Sequence, residues 1–243
     1  MPTNPDETTD GPTIEYSSIQ MSRWLASGFV YASARFVPVP FVDDVIRQRC
    51  RQYVVQTVLK DFAGEDASDV ADLYSSGGGW LSGCASTAVR APVKLLLFPI
   101  RKIVALVTSI RGVPLDVLRM VLLGRAMQQW KQTELVQDTS PNREQIERFK
   151  AAFDQAFGGI DFRLLRSSIS DLRRVTKPWR QAAKAFSKTA SEKKNNVAGT
   201  VETIRDSQQV RDAQQLMNRP SVLKTFQEFD ARFAAAYRPR QSV

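Results

Sequence analysis

One stretch constrains this chain more than any other. Residues 88–123, AVRAPVKLLLFPIRKIVALVTSIRGVPLDVLRMVLL, are its most apolar part, yet basic side chains interrupt them throughout. The longest uncharged run within them, Ile103 to Ile110, is eight residues. A conventional spanning helix needs about 20 apolar residues, so a simple span is not expected. Projected at about 100° per residue, Arg90, Lys94, Arg101 and Thr108 fall on one narrow stripe, and Val93, Leu96, Ile100, Ile103, Val104, Val107 and Ile110 cover most of the rest. A surface helix of a water-soluble bundle has a wider polar face. This one is expected either to be buried by other helices or to lie in a lipid interface with its bases reaching for phosphates.

Proline divides the stretch. Pro99 should kink the helix, and Arg111-Gly112-Val113-Pro114 should end it, so that Leu115 starts a returning helix to about Lys131. The Pro-Leu-Asp-Val-Leu-Arg of 114–119 echoes Pro-Phe-Val-Asp-Asp-Val-Ile-Arg at 40–47, with 72 residues between Asp44 and Asp116. Either one hairpin design occurs twice, or ordinary helix-start chemistry arose twice independently. A hairpin is predicted in both cases.

Charge is distributed unevenly. The chain of 243 residues carries 34 Lys and Arg against 25 Asp and Glu, a formal +9, which points to anionic partners. Residues 1–20 hold four acids and no base, and 61–80 hold five acids and no base. By contrast 81–130 has seven bases against Asp116 alone, and 161–190 has eight against Asp161 and Asp171.

Histidine is absent altogether. Ser-His-Asp and Cys-His activation are therefore impossible, and the commonest zinc sites are disfavoured. No carboxylate pair or lysine constellation suggests a reaction, so the chain is expected to be non-enzymatic, with no cofactor and no metal. Gly77-Gly78-Gly79 precedes Trp80-Leu81 rather than Gly-Lys-Ser/Thr, and so reads as a hinge, not a phosphate loop. Cys50 and Cys84 have no metal or redox spacing; each reads as a free thiol, with a disulfide between them left open.

The remaining chain reads as helix and loop, giving an all-α fold class. Residues 1–20 are expected to be a disordered acidic tail. Met21 to Ala34 mimics a signal segment from an internal start, but is short for one when counted from Met21 and has an acidic lead when counted from Met1. Val42, Val45, Ile46, Cys50, Tyr53, Val54, Val58 and Phe62 mark an amphipathic helix over about 41–63. A short acidic helix is expected from Glu65 to Leu73. Ser140 and Pro141 should open a helix striped by Ile146, Phe149, Phe153 and Phe157 and stopped at Gly158-Gly159. Phe162, Leu165, Ile169 and Leu172 mark the next, to Thr176 before Pro178, and Trp179 to Thr189 the one after. A loop is expected at 191–200, then helices over 201–217 and 221–237, the last striped by Val222, Phe226, Phe229, Phe233 and Tyr237. Three regions result: the tail 1–20, an apolar and basic hairpin region 21–138, and an amphipathic helical region 139–243 forming a bundle or extended helices.

The expectation from sequence is a membrane-associated protein of the cytoplasmic face, peripheral or hairpin-inserted. Its lipid contacts would be Arg90, Lys94, Leu96, Leu97, Ile100, Arg101, Lys102, Val104, Arg111 and Arg119. The runner-up is a nucleic-acid-binding protein using Arg163, Arg166, Arg173, Arg174, Lys177 and Arg180. A soluble adaptor whose apolar hairpins are covered by a protein partner, or by a second copy, is the third possibility.

Overall fold

A computed structural model describes residues 16–39, 41–63, 71, 98–134, 142–160 and 172–237. Within these, side chains at 61–63, 98–111, 134 and 172–176 are outside the description. The described residues are all-helical. The elements are α1 (Ser18–Ser33), a single 3-10 turn (Ala34–Phe36), α2 (Val42–Ala63), α3 (Phe98–Glu134), α4 (Arg143–Gly158), α5 (Leu172–Glu192), α6 (Val197–Ile204), α7 (Gln208–Met217) and α8 (Pro220–Ala236).

The centre of the bundle is α1. Ser17 caps it, accepting from the Gln20 amide while the Gln20 side chain accepts from the Ser17 amide. From Trp24 to Ala34 every residue is buried, on all sides of the helix. This is the stretch without a single charge, and it is enclosed by α2, α3, α5, α6 and α7. A helix that is apolar all round belongs in a core.

Register follows from a few contacts. Gly28 meets Val117, Trp24 lies on Gly124, and Arg35 reaches Gly112, so α1 and α3 are antiparallel. The Ser27 hydroxyl donates to the Cys50 carbonyl at 3.2 Å, and Lys131 Nζ to the Val58 carbonyl at 3.2 Å, so α2 lies antiparallel to α1 and parallel to α3.

In α5, Trp179 and Phe186 flank Phe29, with ring centroids at 5.3 and 6.3 Å, and the Ala34–Phe36 turn packs on the same helix. The following α6 sets Glu202 on Arg23. The first turns of α5 therefore lie at the end of the bundle where α1 finishes. The C-terminal pair α4 and α8 pack antiparallel through their phenylalanines, Phe153 on Phe229 at 5.8 Å and Phe149 on Phe233 at 5.3 Å. Trp130 joins them to α3 at 5.2 Å from Phe149, its Nε1 donating to the Tyr237 hydroxyl at 2.8 Å.

Several sequence expectations are corrected. The break at 111–114 is absent: α3 runs through Gly112, Val113 and Pro114 without reversing, and Pro99 sits in its first turn, where proline is tolerated. The loss of one N–H at Pro114 is outweighed by the burial of Val113, Val117, Leu118, Val121 and Leu122 on either side. Pro178 is likewise inside α5, which runs unbroken from Leu172 through the helix expected from Trp179; residues 162–171 of the helix expected before Pro178 lie outside the described residues. The 41–47 and 114–119 segments are not equivalent, since α2 begins at Val42 and 114–119 lie inside α3. The chain reverses before Asp44 and continues straight through Asp116.

The N-cap of α4 is Asn142, boxed with Gln145, rather than Ser140. The loop at 191–200 shrinks to 193–196, because Asn196 Oδ1 accepts from the Gly199 amide and caps α6. The helix expected over 201–217 divides at 205–207. Ser18 to Gln20 belong to α1 rather than to a tail. The rest of that tail to residue 15, the short acidic helix at 65–73 apart from buried Ala71, the Gly77–Gly79 hinge and Cys84 lie outside the described residues.

Candidate functional site

Of the expected lipid contacts, Arg90, Lys94, Leu96 and Leu97 lie outside the described residues. Ile100, Arg101, Lys102, Val104 and Arg111 are on the backbone of α3, before the part whose side chains are described. Arg119 is described, and it is engaged within the bundle. Its side chain is 13 % exposed, it pairs with Asp154 at 3.2 Å, and its guanidinium stands 4.7 Å from the Phe157 ring. Burial pushes the Asp154 carboxyl up, against the pull of Arg119. The anion-contact set divides similarly. Arg163 and Arg166 lie outside the described residues, Arg173 and Arg174 are placed as α5 backbone, Lys177 is exposed and Arg180 is partly buried.

The apolar face of α3 beyond Gly112 is spent inside the molecule. Val113, Val117, Leu118, Met120, Val121, Leu122, Leu123, Ala126, Met127 and Trp130 are all buried. The helix extends 14 residues N-terminal to Gly112, about 21 Å at 1.5 Å per residue. Among the described residues no helix is long and apolar enough to cross a membrane.

The end of the bundle from which that half-helix starts has a distinctive surface. Phe41 is 70 % exposed, with a backbone φ of 67°, a conformation that costs a phenylalanine about 1–3 kcal/mol. Its carbonyl accepts the first helical bond of α2, from Val45 at 3.2 Å. Val39, Val45 and Leu115 are also exposed there. Beneath them Arg35 pairs with Asp116, and Arg47 stands over the Tyr31 ring at 5.5 Å. Burial raises the Asp116 carboxyl, opposed first by Arg35 and then by Arg47. Among the described residues the buried Nε groups of both arginines have no hydrogen-bond partner.

Two further charged assemblies hold helices together. Arg125 of α3 pairs with Asp230 of α8, both almost fully buried, and the guanidinium lies between the Tyr16 and Phe226 rings at 5.0 and 4.9 Å. Glu202 of α6 collects three donors: the Tyr53 hydroxyl at 2.5 Å, Arg23 Nε at 3.0 Å and Arg205 at 2.7 Å. Burial, and then the Glu202 contact, push the Tyr53 hydroxyl well above its ordinary value. Sequence reasoning missed both assemblies. Apart from Glu202 and Arg205, which are three residues apart, the partners come from different helices, and no spacing links residues so far apart in the chain.

Cys50 is a free, buried thiol and not half of a disulfide with Cys84. Burial pushes it up to about 12. Among the described residues no three of His, Cys, Asp and Glu could together hold a metal ion. Compared with known proteins, the chain matches no family, no curated protein and no solved structure.

Proposed function

We propose that this is a non-enzymatic helical protein that associates with the anionic cytoplasmic face of a membrane through residues 88–111. The observation that carries the reading is the composition of that segment: Arg90, Lys94, Arg101, Lys102 and Arg111 with no acid, interleaved with the densest apolar sequence in the chain. Two favourable terms act together there. Apolar burial contributes about 25 cal/mol per Å², and each base near an anionic surface adds about 1 kcal/mol.

The fold supports this reading by supplying an anchor. The second half of α3 is held by α1, so whatever the first half binds is tied rigidly to the core. The contacts proposed are Arg90, Lys94, Leu96, Leu97, Ile100, Arg101, Lys102, Val104 and Arg111. Arg119, with its carboxylate and ring partners, is left to packing. The absence of histidine favours a non-enzymatic role, and the free Cys50 thiol agrees with a reducing compartment.

Flotation of the full chain with vesicles of phosphatidylcholine, with and without phosphatidylglycerol, tests the reading. Flotation that strengthens with the anionic lipid is expected. Recovery in the soluble fraction with both vesicles, even at low salt, would remove it and turn attention to a protein partner or a second copy as the cover for 88–111.

A further inference from the structure

We propose that the outer face of α5 is a second membrane-contact element, a ridge of cations that binds anionic lipid headgroups. It rests on the membrane reading above and names a headgroup contact outside the 88–111 segment. Lys177, Arg180, Lys184 and Lys188 recur at steps of three and four and so share one face of the helix, a row about 16 Å long at 1.5 Å per residue. The three lysines are exposed and Arg180 is partly so. On the other side of the helix Trp179, Ala182, Ala183 and Ala190 are buried, and Trp179 and Phe186 lie against Phe29, so the ridge is fixed facing outward.

No carboxylate occurs between Leu172 and Ser191. Among the described residues none of the four charged side-chain groups has a hydrogen bond or ion pair, whereas Arg23, Arg35, Arg119, Arg125 and Arg205 all have carboxylate partners. Exposed Lys193 and Lys194 continue the basic surface past Glu192.

A lipid surface is favoured over nucleic acid by where the ridge begins. Lys177 lies at the end of the bundle where the apolar half of α3 meets Gly112, and where Val39, Phe41, Val45 and Leu115 are exposed. Among the described residues the carboxylates at that end are Asp43 and Asp44 in the first turn of α2, and Asp116, which Arg35 pairs with. A duplex would reward the cations alone, whereas a bilayer interface rewards the cations and the apolar side chains beside them.

The test replaces Lys177, Arg180, Lys184 and Lys188 together by glutamine in the full chain, which keeps helix propensity, with circular dichroism and thermal unfolding confirming an unchanged fold. Wild type should float with phosphatidylcholine–phosphatidylglycerol vesicles, more weakly at higher salt. The fourfold variant should partition at least about fiftyfold less, since each cation near such a surface is worth about fivefold. On pure phosphatidylcholine the two should float alike.

A variant that floats on the anionic vesicles as wild type does overturns the ridge while leaving the 88–111 reading standing. Wild type that floats on neither vesicle overturns both. Wild type indifferent to phosphatidylglycerol that instead shifts duplex DNA in a salt-sensitive way, with the shift lost in the variant, assigns the ridge to nucleic acid.

Discussion

Gly28 in α1 lies so close to the α3 backbone that a Cβ on it would stand 2.7 Å from the Val117 Cα. The neighbour is main chain on a second buried helix, not the end of a mobile side chain. A methyl group there can be accommodated only by moving the helices apart, which loosens contacts along their whole length.

Gly28→Ala therefore sets two effects against each other. Helix propensity favours alanine by about 1 kcal/mol, while overpacking a tight core costs about 1–3 kcal/mol. Contact with backbone places the cost at the upper end, so a net loss of about 1–2 kcal/mol is expected. Gly158→Ala is the matched control, because a Cβ there meets nothing within 4 Å, and it should be neutral or stabilising by up to about 1 kcal/mol. Urea unfolding of both variants decides it; a Gly28→Ala protein as stable as wild type would mean that the helices are not held at this distance.

The Arg125–Asp230 pair should behave as a buried ion pair whose partners cannot be removed singly. Asp230→Ala leaves a guanidinium enclosed by Tyr16 and Phe226, and should cost about 3–5 kcal/mol. Replacing both residues with apolar ones, Arg125→Met with Asp230→Leu, should recover most of that loss. A double-mutant cycle by denaturant unfolding reads the coupling directly, and additive losses would show that the pair does not act as a unit.

What the sequence revealed, and what it hid, follows from the range of each signal. The α2 stripe of Val42, Ile46, Cys50, Val54 and Val58 and the phenylalanine stripes of α4 and α8 were legible, because period and burial agree within one helix. Pro114 and Pro178 misled. A proline costs a helix interior about 3 kcal/mol, and at Pro114 that cost is met by apolar side chains on both flanks that bury against other helices. The central position of α1 was legible in principle. Its run without charge from Trp24 to Ala34 is too short to span a bilayer and too apolar for a surface, and α3 drew attention only because it is longer. As for the candidate site, the unpaired α5 ridge was visible as charge, but that its partnerless face looks outward depends on α1 supplying Phe29 to the opposite face.

Cys50 gives a pH prediction. Its folded value of about 12 exceeds the ordinary 9.0, so the fold favours the neutral thiol. That contribution is complete below pH 9 and is lost as pH rises from there through 12. Tyr53, also raised by burial, acts in the same direction. Stability should therefore fall on the alkaline side, and Cys50→Ala should flatten the part of the fall that belongs to the thiol. In a Cys84→Ser background, native protein should resist a thiol reagent at pH 8 and react fully in denaturant. Rapid modification of the native protein would show that Cys50 is not enclosed by α1.

The membrane reading makes its own residue-level demand on α3. Leu96→Glu or Val104→Glu puts a carboxylate into the apolar face of 88–111, which removes apolar burial and adds repulsion from anionic headgroups at once. Flotation should be abolished by either change. Arg90→Ala with Lys94→Ala removes only two electrostatic contributions of about 1 kcal/mol each, leaves the apolar face intact, and should weaken flotation without abolishing it. Unfolding midpoints measured alongside show whether either set disturbs the buried contacts from Val113 onward. Flotation unchanged by the glutamates would place the lipid contact elsewhere in the chain. If the paired alanine change proved the more damaging, attraction of charge rather than burial of apolar surface would be what holds the protein to the bilayer.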